Sequence, residues 1–402
     1  MRYQFFTGVR PLPRAWRKLS ALLALLTFLS TFLITPIRAK AEVTITSPSA
    51  ILMESSTGTI IYEKNADERR SPASITKIMT LLITLEYVRE GKANLTDEVL
   101  VSEHAASMGG SQVYLAQGEV QTLEVMLKCI AVASGNDASV AVAEYVAGSE
   151  EAFVKMMNDK AAALGMTGTH FVDCCGLTDS DDHYTTARDV CIMARALTTE
   201  YPEVFQYTQI WMEDITHVTK QGSSIFTLSS TNKLLKRYPF CTGLKTGSTQ
   251  KAKYCMAATA SKDGIDLIAI VMGAPDPKTR FSEAQTLLTY GYASCRLYRD
   301  EEPIELPEIP VKNGLAEKVS LQCDAPFSYL DLENLQFSEI KRQISLPKEV
   351  IAPIAEGDVA GYVTYSYGDF EIGSLPITYA ESIPKANFGD YLKYCIKSLL
   401  FS

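Results

Sequence analysis

The 402-residue chain predicts an α+β fold with a second, small β domain. Three observations predict it. Strand-like runs occur at both ends of residues 43–298 with helical periodicities between them, which calls for an antiparallel sheet built from both ends of that region. Short alternating runs punctuated by Gly and Pro fill 303–382. An acidic, Pro-rich stretch around Arg299–Pro310 separates the two as a linker.

Residues 43–64 alternate and then turn at Ser55-Ser-Thr-Gly58, which reads as a β-hairpin with Gly58 in the bend. A helix follows. Ser71 fits its N-cap, Pro72 its first position, and Ile78, Leu81, Leu82, Leu85 and Val88 mark one apolar face. Further helical patterns run over 122–133, 137–147, 150–164 and 186–199. Strands return at 243–248, 253–261 and 265–273, with Lys262-Asp-Gly264 turning the last pair, and a helix over 278–297 closes the region. Tyr362-Val-Thr-Tyr-Ser-Tyr typifies the β domain.

The two ends of the chain differ from the rest. Residues 1–41 hold seven Lys/Arg and no Asp/Glu, an apolar run from Leu19 to Ile37, and an Ala39-Lys-Ala41 cleavage pattern. This reads as a secretory signal peptide. The alternative is an uncleaved anchor, for which a run interrupted by Ser20, Thr27, Ser30, Thr31 and Pro36 is marginal. At the other end, 386–402 places Phe388, Tyr391, Leu392, Cys395, Ile396, Leu399 and Leu400 at helical spacing. That amphipathic helix is too short to span a bilayer and suits a membrane surface, or else a protein partner or the chain's own domain.

Without the first 41 residues, 31 basic residues face 47 acidic ones, a net charge of −16. Such a balance disfavours a nucleic-acid partner. Nine cysteines, an odd number with Cys174 and Cys175 adjacent and no C-x-x-C, do not form a disulfide framework and read as small buried hydrophobes. Their abundance in a secreted chain hints at a low-oxygen habitat. The four histidines show no metal-ligand spacing.

Chemistry concentrates in three strings: Ser74-Ile-Thr-Lys77, Ser134-Gly-Asn136 and Lys245-Thr-Gly247, 60 and 111 residues apart. S-x-x-K alone carries little, since it begins at six serines here; S-G-N and K-T-G each occur once. Ser74 and Lys77 share a helix face. A serine hydroxyl needs a base, and a lysine serves if burial, the helix dipole and a second cation (Lys245) keep its amine neutral. Ser134 suits proton relay, and Asn136 suits holding a substrate carbonyl and orienting the lysine. The plainer alternative is a turn in which Ser134 or Asn136 caps the next helix. Gly243-Leu-Lys-Thr-Gly247 reads as a strand with a close-approach edge. Lys245 and Thr246 would present a charge and a hydroxyl to a terminal carboxylate.

From about residue 43 to 380 the chain resembles the low-molecular-mass penicillin-binding proteins, the serine-type D-alanyl-D-alanine carboxypeptidases. The trio carries the resemblance, together with Ser71-Pro-Ala-Ser-Ile-Thr-Lys77-Ile-Met-Thr, Ala133-Ser-Gly-Asn-Asp-Ala138, His183-Tyr-Thr-Thr-Ala187 and Gly243-Leu-Lys-Thr-Gly-Ser248. It implies a penicillin-binding/β-lactamase-like catalytic domain. It also implies release of terminal D-alanine from peptidoglycan stem peptides through a serine acyl-enzyme, with β-lactams as covalent inhibitors. Ser74 would be the nucleophile, Lys77 its base and Ser134 the relay; Asn136, Lys245, Thr246, Gly247 and Ser248 would bind substrate. The backbone N–H groups of Ser74 and Ser248 would form the oxyanion hole, with no metal or cofactor. The expected location is extracytoplasmic, attached peripherally to the membrane.

Asp173-Cys-Cys-Gly-Leu177 departs from the family's usual Asn-Pro-His-Gly-Leu, which leaves substrate detail and thiol sensitivity open there. A β-lactamase is disfavoured, because no E-x-x-L-N lies between the second and third strings and such enzymes lack the extra β domain. Loss of Ser74, Lys77 or Lys245 would have marked a silent scaffold protein, and none is lost. A D,D-endopeptidase would use the same residues.

Overall fold

The strands from the two ends of the larger region join in one sheet. The computed structural model describes residues 43–323, 326–390 and 392. In chain order the larger region runs β1 (Ser49–Glu54), β2 (Ile60–Lys64), α1 (Lys77–Arg89), β3 (Glu98–Leu100), β4 (Val120–Thr122), α2 (Leu123–Lys128), α3 (Asn136–Ala147), α4 (Glu150–Ala163) and α5 (Ala187–Glu200). It continues through β5 (Met212–Thr219), β6 (Gly222–Ser229), β7 (Cys241–Thr249), β8 (Lys253–Lys262), β9 (Ile265–Ala274) and α6 (Pro277–Ser294). The five-stranded antiparallel sheet has the order β2-β1-β9-β8-β7, so the third motif lies on an edge strand.

Both faces of this sheet are covered, and strand alternation sorts the side chains between them. Ile51, Met53, Ala257, Ile268, Ile270 and Met272 enter one core with the helices α1 to α5. Ala50, Leu52, Met256, Ala258, Leu267, Ala269 and Val271 enter a second core against Phe281, Ala284, Leu287 and Leu288 of α6. Two buried faces explain why these strands read as nearly unbroken apolar runs.

The helix after the hairpin departs from expectation at two points. A 3-10 turn over Ala73–Thr76 precedes α1, and neither Ser71 nor Pro72 supplies a side-chain cap. Nor has α1 a single apolar face: every residue from Lys77 to Leu85 is buried, because the helix runs through the middle of the core. Its buried hydroxyls are satisfied locally, Thr80 donating to the Cys174 carbonyl (2.6 Å) and Thr84 to the Thr80 carbonyl (2.7 Å). The β5–β6 hairpin was not anticipated.

The final helix is shorter than expected. It stops at Ser294, and β10 (Arg296–Arg299) follows at once. The β domain then runs β11 (Ile309–Lys312), β12 (Lys318–Val319), β13 (Leu321–Gln322), β14 (Ser328–Asp331), β15 (Ile340–Ser345), β16 (Val350–Ile351), β17 (Val359–Tyr367) and β18 (Phe370–Tyr379). Its largest sheet has the order β13-β18-β17-β15. Strand β10 pairs antiparallel with β14, so one ladder spans the linker. The predicted signal peptide lies outside the described residues, as does most of the predicted C-terminal helix. Of that helix, Phe388 and Leu392 are exposed, and no described helix is long and apolar enough to cross a membrane.

Candidate active site

The first motif is built on strain. Ala73, buried and not glycine, sits at φ +48° at the start of the 3-10 turn, a conformation that costs of order 1–3 kcal/mol. The turn presents Ser74 at the surface of a cleft while Lys77, three residues on, is fully buried. The Lys77 amine lies 3.1 Å from Ser74 Oγ, 2.6 Å from Asn136 Oδ1 and 2.8 Å from the Cys175 carbonyl. The two carbonyl oxygens only accept, so each takes an N–H. In its neutral form the amine has two N–H groups for those carbonyls and one lone pair for the Ser74 hydroxyl; in its charged form it donates to Ser74 Oγ as well. Burial pushes Lys77 below the ordinary lysine value, against the pull of Cys175, Cys174, Asp173 and Asp137.

The second motif follows a π-helical turn, Cys129–Ala133, that ends α2. Such turns recur at functional sites. Ser134 leaves it at φ +63°, and Gly135 donates back to the Cys129 carbonyl at 3.0 Å. Gly135, not Ser134 or Asn136, takes the N-cap of α3, which frees both side chains. Asn136 uses its oxygen on Lys77 and donates Nδ2 to the Gly109 carbonyl at 2.7 Å, while its backbone N–H donates to the Ser111 carbonyl at 2.8 Å. Beside it, the buried Asp137 carboxylate accepts from the N–H groups of Val113 (3.0 Å) and Leu115 (3.1 Å).

The third motif reaches the nucleophile's turn because Gly247 lacks a side chain. A Cβ there would stand 2.8 Å from the Pro72 carbonyl oxygen and 3.1 Å from Ser74 N. Lys245 Nζ donates to Ser134 Oγ at 2.8 Å and to the Thr246 carbonyl at 3.1 Å. Thr246 Oγ1 donates to Thr231 Oγ1 at 2.7 Å, and Ser248 is exposed. Burial holds Lys245 well below the ordinary lysine value, and the positive charges of Lys77 and Arg280 add to it. The fold therefore joins Ser74, Lys77 and Asn136 in one group and Ser134 with Lys245 in another, and sets Gly247 against the turn that carries Ser74.

Sequence reasoning missed several supports. Arg280 on α6 donates to the Gly247 carbonyl at 3.0 Å from behind the strand. The Asp173–Leu177 loop supplies backbone, not side chains. The Cys175 carbonyl serves Lys77 and the Cys174 carbonyl serves Thr80, while both thiols are buried and burial pushes the Cys174 thiol up. Asp173 holds the loop by accepting from the N–H groups of Cys175 (2.9 Å), Gly176 and Thr178 (2.8 Å). His183 lies behind it. Val172 N–H donates to His183 Nδ1 (3.1 Å), so Nε2 carries the proton and donates to Thr76 Oγ1 (2.9 Å), which donates to the Ala73 carbonyl (2.8 Å). Burial lowers His183 and keeps that neutral form. The His183-Tyr-Thr-Thr string was the one visible signal of this support.

Comparison with known proteins identifies the family. The profile of the D-alanyl-D-alanine carboxypeptidase family matches residues 36–276, and that of the penicillin-binding protein 5 C-terminal domain matches residues 292–385. The chain is 40% identical over 348 residues to the D-alanyl-D-alanine carboxypeptidase DacF of Bacillus subtilis, covering 86% of this chain and 88% of the relative. It is 32% identical over 367 residues to DacA of Escherichia coli, covering 87% of each. The crystal structure of penicillin binding protein 5 from Haemophilus influenzae aligns with a TM-score of 0.72 and 30% identity, over 85% of this chain and 98% of that one. With a buried lysine facing a serine, a second serine–lysine pair opposite and both profiles matched in order, the chain belongs to the D-alanyl-D-alanine carboxypeptidase family of low-molecular-mass penicillin-binding proteins.

Proposed function

We propose that the chain removes the terminal D-alanine of peptidoglycan stem peptides with Ser74 as nucleophile. Lys77 Nζ takes the hydroxyl proton as Ser74 Oγ bonds to the carbonyl carbon of the penultimate D-alanine. The backbone N–H groups of Ser74 and Ser248 stabilise the oxyanion. Ser134, bonded to Lys245, passes a proton to the departing D-alanine nitrogen as the peptide C–N bond breaks. Lys245 and Thr246 hold the substrate's terminal carboxylate, Asn136 its amide, and Gly247 admits the chain along β7. Water then attacks the Ser74 ester, releasing the shortened stem peptide and restoring the hydroxyl. A penicillin acylates the same oxygen by opening its β-lactam ring.

The observation that carries this reading is the buried Lys77 amine, 3.1 Å from Ser74 Oγ and held by the Asn136 and Cys175 carbonyl oxygens at 2.6 and 2.8 Å. An intact-mass time course with a penicillin, followed by peptide mapping, tests it. A long-lived adduct on Ser74 that is lost in Ser74→Ala is the expected result. Hydrolysed drug without a lasting adduct would point to a β-lactamase. Untouched protein with intact drug would sink the mechanism.

In this reading residues 43–298 are the catalytic domain and 303–382 the β domain. Residues 1–41 direct export, and 386–402 attach the enzyme to the outer surface of the cytoplasmic membrane. Support comes from the basic and apolar pattern of the first segment and the amphipathic spacing of the last.

A further inference from the structure

Tyr114 stands out among the residues the mechanism does not use. It is 71% exposed and sits at φ +63°, a conformation that a bulky side chain rarely adopts. The surroundings over-determine it. The buried Asp137 carboxylate grips the N–H groups on both sides of it, those of Val113 and Leu115, whose side chains are themselves buried. Asp137 directly follows Asn136, and the same segment meets Asn136 through the Ser111 and Gly109 carbonyls. On its other side the Tyr114 ring meets the edge of Phe226 on β6, with centroids 6.0 Å apart. Phe226 in turn packs against His217, which is held by Glu119 at 2.8 Å. Strand β6 leads on to Thr231, the hydrogen-bond partner of Thr246.

A strained aromatic ring braced from the second motif on one side and from the approach to the third on the other, yet left open to solvent, is built to touch something. Tyr114 follows Ser111 by three residue steps, which span at most ~11 Å. The ring thus lies within reach of a substrate residue just upstream of the one held by Asn136. We propose that Tyr114 binds substrate as a platform for the side chain of the residue preceding D-Ala-D-Ala in the stem peptide, a long aliphatic amino side chain lying along the ring. This rests on the carboxypeptidase reading above. An aromatic platform offers a large rigid surface at low entropic cost, and an amino group above the ring adds cation–π attraction.

The test compares kcat/KM for Nα-acetyl-L-lysyl-D-alanyl-D-alanine, its ε-amino group free, with that for acetyl-L-alanyl-D-alanyl-D-alanine in wild type, Tyr114→Phe and Tyr114→Gly. Glycine accepts the positive φ, so that variant folds without the strain. Tyr114→Phe should keep the wild-type preference for the lysyl peptide. Tyr114→Gly should lower the ratio roughly 3- to 10-fold, the range for one aromatic contact, through KM and not kcat. Equal losses on both peptides, or an unchanged ratio, would overturn the proposal. Penicillin acylation of Ser74 is followed in parallel. Its persistence in Tyr114→Gly confines such a failure to the platform, whereas its absence in wild type would overturn the carboxypeptidase reading and the platform with it.

Discussion

Lys77 shows how a residue's surroundings choose its chemistry. Burial disfavours its ammonium, and the carbonyls of Asn136 and Cys175 orient what remains. Lys77→Ala should fold and lose ~10²–10⁴-fold in the rate of penicillin acylation; an unchanged rate would refute its assignment as base. The pH dependence follows from the same shift. Since the folded pKa lies below the unfolded value of 10.5, acylation should rise with pH through an inflection below 10.5 and then level off. Between those two values the unfolded chain binds the extra proton, so this group makes stability rise with pH there. Its contribution is lost as pH falls through the folded pKa. Stopped-flow acylation and urea titrations across that window would check both signs. Gly176 is a second residue whose identity is dictated by contact. Its φ is +77°, and a Cβ would lie 1.8 Å from the Ala73 carbonyl oxygen. Gly176→Ala should therefore cost about 3–5 kcal/mol in urea unfolding. Gly357→Ala, at φ +84° with open space around it, should cost only about 1 kcal/mol.

At the scale of the element, the Asp173–Leu177 loop acts through its backbone. Three N–H groups converge on the Asp173 carboxylate, and the carbonyls thereby aimed inward serve α1. The unusual Cys-Cys pair is tolerated because only those carbonyls face the lysine and Thr80, while the thiols fill core space. Asp173→Ala removes the anchor, so it should slow acylation and open Cys174 and Cys175 to alkylation under native conditions. Mass mapping after iodoacetamide would detect this; thiols as protected as in wild type would contradict it. The β5–β6 hairpin was illegible for a related reason. Its outward positions mix Met212, Asp214, Thr216 and Val218, so no clean alternation marks it. The first turn of α1 was misplaced because a Ser-Pro start looks like a cap, whereas the chain there is bent by contacts with β7 and the Gly176 loop.

For the whole molecule, cleft and β domain are separate achievements of the chain. The five-stranded sheet is sandwiched between α1–α5 and α6 with a core on each face, and the β domain has cores of its own, with the rings of Phe327 and Tyr365 stacked at 3.8 Å. The two are tied by the β10–β14 ladder and by Arg296 to the buried Asp331. None of the mechanistic roles proposed above falls on 386–402. Removing those residues should accordingly abolish sedimentation with anionic lipid vesicles while leaving penicillin acylation at its wild-type rate; continued sedimentation would reassign the tail.

The sequence by itself determined the family and its reaction class, because three motifs of distinctive residue type occur in a distinctive order along the chain. It also determined the fold class, since two-face burial and helical periodicity are written in local apolar patterns. Tertiary structure alone decided which atoms tune the lysine. Backbone carbonyls such as those of Cys175 and Gly109 are present at every residue and carry no sequence signal, so only folding selects the ones that meet the site. The depth at which Lys77 and Lys245 are buried was likewise settled there, because desolvation depends on what packs around a group, and those neighbours come from segments far apart in the chain.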